Sequence, residues 1–155
     1  MKPQDTKVIS IDRSLYHHKY KGRVKTFEVD RQNIVHNVIY LYWLEEARVE
    51  YFRALGLDMN ERTFIDSYRF VVVKTEINYH APALFDKEYE VLTKISSIGT
   101  SSFVFDQAIC LIPEETILIT AQSVLVQLDP ITNQSTPIDK VYRELVNEFE
   151  QIHSA

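Results

Sequence analysis

Glycine is scarce in this chain of 155 residues, occurring only as Gly22, Gly56 and Gly99. Glycines so far apart exclude a dinucleotide fingerprint, a P-loop and a GxSxG nucleophile elbow, each of which needs them clustered where the backbone turns sharply or approaches a phosphate. Cysteine occurs once, as Cys110, which removes any intrachain disulfide and any cysteine-rich zinc site. There is no HExxH pattern and no paired ligand spacing, so metal chemistry is not expected. A basic excess is lacking as well. The 17 Lys and Arg stand against 22 Asp and Glu, a formal net charge of −5, which argues against a nucleic-acid binder. The longest unbroken apolar run, Val38 to Leu44, is far short of the ~20 residues a membrane span requires. Met1 to Leu15 mixes Lys2, Asp5, Lys7, Asp12 and Arg13 with few apolar residues and lacks the apolar region of a secretory signal. The expectation is a soluble, cytoplasmic protein with a reduced Cys110.

What is present is a chain that is 45% apolar and long enough to bury roughly two thirds of its unfolded surface. One domain over residues 1–155 is expected, with no linker or internal repeat. Charge is uneven: residues 1–30 hold seven Lys or Arg and four Asp or Glu. Lys19, Lys21, Arg23 and Lys25 read either as a strand edge guarded by cations or as a docking surface for an anionic ligand.

A weak period of two predicts a first strand over Lys21–Asp30. Arg31–Asn33 reads as a turn, with Asn33 suited to the left-handed region. Asn37 reads as the N-cap of a long helix through Leu55, and Gly56 as its C′ residue. The first turns of this helix are apolar all round, which predicts burial on every side. Period-two alternation predicts strands over Phe70–Tyr79, Lys87–Ile95, Ser102–Ile112 and Thr116–Leu128. Their short links imply that successive strands are antiparallel neighbours. Thr136-Pro137 reads as the start of a last helix bearing Ile138, Val141, Tyr142, Leu145, Phe149 and Ile152 at helical spacing. One long helix against a curved antiparallel sheet is an α+β arrangement.

Asp30 is the polar group that stands out, between apolar Val29 and Ile34-Val35 and a few residues before the long helix. Unpaired N–H groups at a helix start stabilise a carboxylate or an oxyanion. A carboxylate beside such donors suits hydrolysis of an acyl derivative, and the plainer reading is that Asp30 caps the turn. His36 would lie near Asp30 and could donate to a ligand carbonyl or orient a water. His17, His18 and His80 read as surface or structural residues. Glu45 and Glu46 are alternative carboxylates on the long helix, or part of its solvated face.

The stretch Phe27-Glu28-Val29-Asp30-Arg31-Gln32-Asn33-Ile34-Val35-His36-Asn37-Val38-Ile39-Tyr40, followed by Trp43-Leu44-Glu45-Glu46-Ala47-Arg48, resembles the acyl-CoA thioesterases of the 4-hydroxybenzoyl-CoA thioesterase type. The pattern there is D-x-D-x-x-G-x-V, a tyrosine and an E-x-A-R helix. The likeness is closest to the branch that includes the Tol–Pal-associated thioesterases. Tyr79-His80-Ala81-Pro82 and Gly99-Thr100-Ser101-Ser102-Phe103 extend the likeness over about residues 20–130. It implies a hotdog fold, an antiparallel sheet wrapped around a long central helix, with a C-terminal helix over about 137–152. The implied activity is hydrolysis of an acyl-CoA or acyl-carrier-protein thioester. The resemblance places the catalytic carboxylate on Asp30, as nucleophile or general base, and the backbone oxyanion donor on Asn37. It places a pocket tyrosine on Tyr40, the first acid of D-x-D on Glu28, and the glycine on Asn33. Some relatives hold the CoA phosphates with a basic pair between the third and fourth strands; here Thr100 and Ser101 occupy that place as candidate substrate-binding residues. The family needs no cofactor and forms homodimers or homotetramers with the groove between subunits. A non-catalytic acyl-ligand or protein-interaction module on the same fold is the alternative.

Overall fold

A computed structural model describes residues 9–66 and 69–151. Five strands form one sheet in the order β1-β3-β4-β5-β2, every neighbouring pair antiparallel. The strands are β1 (His18–Arg23), β2 (Phe70–Tyr79), β3 (Glu88–Ile98), β4 (Ser102–Leu111) and β5 (Ile117–Gln127). Helix α1 (Ile39–Ala54) packs on one face of the sheet, a short α2 (Thr63–Asp66) follows it, and α3 (Lys140–Glu150) closes the described chain. This is the expected α+β sheet around a long helix.

The burial of α1 follows from its sequence. Tyr40, Trp43, Leu44, Ala47, Arg48, Tyr51 and Phe52 are buried and recur three and four residues apart, so they share one face of the helix. Trp43 stacks on Tyr89 of β3 at 3.8 Å between centroids and joins Tyr40, Leu44, Val91, Ile109 and Leu118 in one core cluster. Tyr51 and Phe52 pack with Phe103, Phe105, Leu125 and Val146 in a second. The other face of the sheet buries Leu92, Ala108 and Cys110 beneath Ile11 and Tyr16. Arg13 fastens that covering segment through an ion pair with the buried Glu90.

Several expectations are corrected. The first strand ends at Arg23 and does not run to Asp30. The Val24 N–H still donates to the Lys87 carbonyl, at 2.9 Å, but Thr26–Glu28 then coils into a 3-10 turn, with the Glu28 carboxylate accepting the Lys25 N–H. β1 is an edge strand with Lys19, Lys21 and Arg23 exposed. β2 and β3 are not neighbours, although only eight residues separate them: β2 pairs with β5 and β3 with β1. The intervening Ala83 is fully buried and bonds to the segment before α1, so the link crosses the helix start instead of forming a hairpin. The first turns of α1 are not buried all round. Val38 and Leu41 are exposed and Tyr42 is 62% exposed, because the sheet covers a single side of the helix there. α3 begins at Lys140 with Asp139 at its cap. Thr136 is instead held as extended chain by its N–H bond to the Gln127 carbonyl. Val141 faces solvent, Val146 is the buried contact, and Ile152 lies outside the described residues.

Candidate active site

Val29 and Val35 form an isolated antiparallel bridge, closed by the loop from Asp30 to Ile34. The Asp30 N–H donates to the Ile34 carbonyl at 2.8 Å, and the Asp30 carbonyl accepts the Asn33 N–H at 3.0 Å. Asn33 has φ 63°, the left-handed conformation that lets so tight a loop re-enter its pairing. The Asp30 carboxylate accepts the Gln32 N–H at 2.7 Å, as aspartate does in an Asx turn. Asp30 does organise the turn, and its side chain also lines a cleft.

Glu28 anchors this loop. It is 6% exposed, and its carboxylate accepts the Trp43 indole N–H at 2.7 Å as well as the Lys25 N–H at 2.8 Å. Its backbone carbonyl accepts the His36 N–H at 3.0 Å. The residue in the position of the first D-x-D acid thus ties the Asp30 loop to α1 and to the segment that starts it.

That segment, His36–Val38, has an unusual set of bonds. The Val38 N–H donates to His36 Nδ1 at 3.2 Å. The Ile39 N–H donates to the His36 carbonyl at 2.9 Å. The Tyr79 hydroxyl donates to the Asn37 carbonyl at 3.1 Å. Among the described residues the Asn37 N–H meets no acceptor. The helix begins at Ile39, one residue later than an N-cap at Asn37 predicts. Val38 holds the cap position with helical backbone angles, and no side chain caps the helix, so the Asn37 side chain is not a cap.

Asp30, Ile34, Val35, His36, Asn37 and Tyr40 form one wall of a cleft of about 360 Å³, and Tyr79, His80, Ala81 and Pro82 form the other. An open hollow adjoins it around Asp30, Arg31 and Gln32. The Tyr40 hydroxyl accepts the Ala83 N–H at 3.2 Å, and burial raises the phenol above its ordinary pKa, so Tyr40 stays neutral. His80 Nε2 and the Thr120 hydroxyl are hydrogen-bonded at 2.8 Å. A carboxylate, a free backbone N–H and neutral aromatic walls can together polarise a carbonyl, hold the oxyanion formed from it and supply a base.

Asp30, His36, Asn37 and Tyr40 therefore converge on one cleft. Thr100 and Ser101 do not join them within the chain. They lie in the β3–β4 turn, where the Thr100 carbonyl accepts the Ile138 N–H and the Ser101 carbonyl the Gln127 N–H. Arg143 of α3 also grips this turn, donating to the Gly99 and Thr100 carbonyls at 2.6 and 2.8 Å. Glu46 accepts the Tyr20 hydroxyl at 2.6 Å, and Glu45 borders a separate groove with Arg48, Phe52 and Phe64, so neither lines the Asp30 cleft. Sequence reasoning missed Tyr79 and His80 as cleft residues. The available signal is the Tyr79-His80-Ala81-Pro82 segment, which forms part of the family likeness. Among the described residues no group of three His, Cys, Asp or Glu side chains converges to hold a metal ion, and no helix is long and apolar enough to cross a membrane.

The profile of the thioesterase-like superfamily matches residues 24–146. The chain is 31% identical over 133 residues to the acyl-CoA thioester hydrolase YbgC of Escherichia coli O6:H1, covering 86% of this chain and 96% of that one. It is 28% identical over 131 residues to the long-chain acyl-CoA thioesterase FadM of Escherichia coli, covering 82% and 95%. A thioesterase from Thermus thermophilus, crystallised with coenzyme A and zinc, superposes with a TM-score of 0.78 at 23% identity, covering 90% of this chain and 98% of that one. The hotdog fold and the match across most of the chain lead to one conclusion: this chain belongs to the thioesterase-like superfamily.

Proposed function

We propose that this protein is an acyl-CoA thioesterase, hydrolysing the thioester to a free acid and a thiol. The reading rests on the cleft that Asp30 and Asn37 both line, with the Asn37 N–H meeting no acceptor among the described residues. The kinship with acyl-CoA thioester hydrolases supports it. In the general-base route, water adds to the thioester carbonyl carbon as Asp30 takes its proton. The carbonyl oxygen becomes an oxyanion held by the Asn37 N–H. Collapse breaks the C–S bond, and the departing sulfur takes up the proton. In the nucleophilic route, Asp30 itself adds to the carbon, the thiolate leaves, and water then cleaves the resulting anhydride. One oxyanion donor of this kind stabilises the transition state by ~3 kcal/mol. His36 and Tyr40 shape the pocket.

Within the superfamily we assign the chain to the branch of the Tol–Pal-associated thioesterases, on its likeness to YbgC, and place it in the cytoplasm. We also propose a homodimer in which β2 pairs with β2 of a second copy. β2 is an edge strand of ten residues with Val71, Val72 and Val73 exposed, the kind of edge that other chains pair with unless it is covered. A second copy would also account for Thr100 and Ser101 as substrate-binding residues, since their own Asp30 cleft does not include them.

The test is thiol release from a panel of acyl-CoA and acyl-carrier-protein thioesters. Asp30→Asn should lower kcat at least about a hundredfold, the contribution expected of a positioned base or nucleophile, with an unchanged melting curve. Turnover that survives this substitution would remove Asp30 from the chemistry. Tight acyl-CoA binding by the wild-type protein without thiol release would favour the non-catalytic module.

A further inference from the structure

We infer that Tyr79 and His36 are positioning residues that lock the Asn37–Val38 peptide and so hold the Asn37 N–H in place as an oxyanion donor. The inference rests on the hydrolase reading of the cleft. The Asn37–Val38 peptide is gripped at both ends by side chains: its carbonyl accepts the Tyr79 hydroxyl and its N–H donates to His36 Nδ1. The preceding peptide is fixed at its carbonyl by the Ile39 N–H, and its own N–H, that of Asn37, is left free. Three of the four polar groups of these two consecutive peptides are thus engaged, and the one left over meets no acceptor among the described residues.

Stability does not explain the arrangement. Asn37, Val38 and His36 are exposed, so water would satisfy these peptide groups at little cost. What two side-chain bonds add at an exposed site is orientation, and a preorganised dipole is worth most where charge develops in the transition state. The two positioning residues are themselves held. The Tyr79 ring meets Tyr40 edge to face at 5.8 Å, and the His36 N–H donates to the carbonyl of Glu28, whose side chain is locked to Trp43. The bond from the Val38 N–H uses Nδ1 as its acceptor, which requires the ring proton to sit on Nε2.

Three variants test the lock. Tyr79→Phe keeps the ring and removes the hydroxyl. His36→Leu removes the acceptor. His36→Asn restores one, because an Asn side-chain oxygen can accept the N–H two residues on. Tyr79→Phe and His36→Leu should each lower kcat about five- to tenfold with KM unchanged, the signature of an interaction used in the transition state. His36→Asn should recover most of the loss. The double variant Tyr79→Phe/His36→Leu should fall less than the product of the single effects, because both residues hold one peptide. Hydrogen exchange at the Val38 amide should quicken in His36→Leu and slow again in His36→Asn. Unchanged kcat in both single variants, or a rise in KM alone, would overturn the inference and leave the two residues as cleft lining. A wild-type protein that releases no thiol overturns the hydrolase reading itself. An active, Asp30-dependent enzyme with unaffected variants overturns only the positioning role.

Discussion

Replacing Glu28 with alanine should damage both stability and turnover, and the structure sets the size of each effect. The Glu28 carboxylate is the acceptor for the indole N–H of Trp43, a side chain 2% exposed. Without it that N–H is stranded where water cannot reach, and an unsatisfied buried donor costs ~1–3 kcal/mol. The Lys25 N–H also loses its acceptor, but Lys25 is exposed and water replaces the bond. A net loss of about 1–3 kcal/mol is expected, and each kcal/mol lowers Tm by about 2–4 °C in a chain of this size. The effect on turnover follows from position. Glu28 fixes the loop that presents Asp30, and its carbonyl holds the His36 N–H. A displacement of ~1 Å in a catalytic group can cost ~100-fold, so kcat should fall by about one to two orders of magnitude. Urea denaturation and thiol release measure the two effects. A double-mutant cycle with Trp43→Phe isolates the contact, which should couple by ~1.5–3 kcal/mol as a bond to an ionised acceptor. An unchanged unfolding midpoint in Glu28→Ala, or a coupling below about 0.5 kcal/mol, would refute the anchoring role.

Other sites give simpler expectations. A Cβ at Gly22 would overlap the Tyr89 hydroxyl and ring, and Tyr89 cannot withdraw because it is buried and stacked on Trp43. Gly22→Ala should therefore cost about 1–3 kcal/mol by denaturant unfolding, and a wild-type midpoint would contradict this. At Asn33, with φ 63°, glycine should be accepted within about 0.5 kcal/mol, whereas Asn33→Val should lose about 1–2 kcal/mol and turnover with it. Equal stability of the two variants would show that the loop does not need the left-handed residue. Burial raises the Glu150 carboxyl above its ordinary pKa of 4.5. The folded state then holds that proton more tightly than the unfolded state, so this group's contribution to stability falls as pH rises from about 4.5. Glu150→Gln keeps an acceptor for the Tyr51 hydroxyl and the Ile95 N–H and removes the charge. Its stability relative to wild type should therefore grow between pH 4.5 and neutrality, and a constant difference across that range would exclude the mechanism.

Local pattern by itself determined much of this protein. β2 runs from Phe70 to Tyr79, as its alternation indicates, and β4 and β5 match to within one residue at each end, because period two is a property of the strand itself. Asn33 was readable as a left-handed residue and Gly56, with φ 89°, as the close of α1, since both depend on backbone sterics alone. Asp30 stands out from its apolar neighbours Val29, Ile34 and Val35 in the sequence alone. Tertiary structure decided the rest. The 3-10 turn at Thr26–Glu28 replaces a strand because the Glu28 carboxylate reaches back to Lys25 and across to Trp43, a partner fifteen residues away that no local pattern encodes. The separation of β2 from β3 depends on Ala83 docking beneath the start of α1. Tyr79 and His80 became cleft residues only when that docking carried the end of β2 to Asn37. Where chemistry could occur was legible in a few side chains, but which groups face one another across the cleft was settled by long-range packing, because the contacts join segments some forty residues apart in the chain.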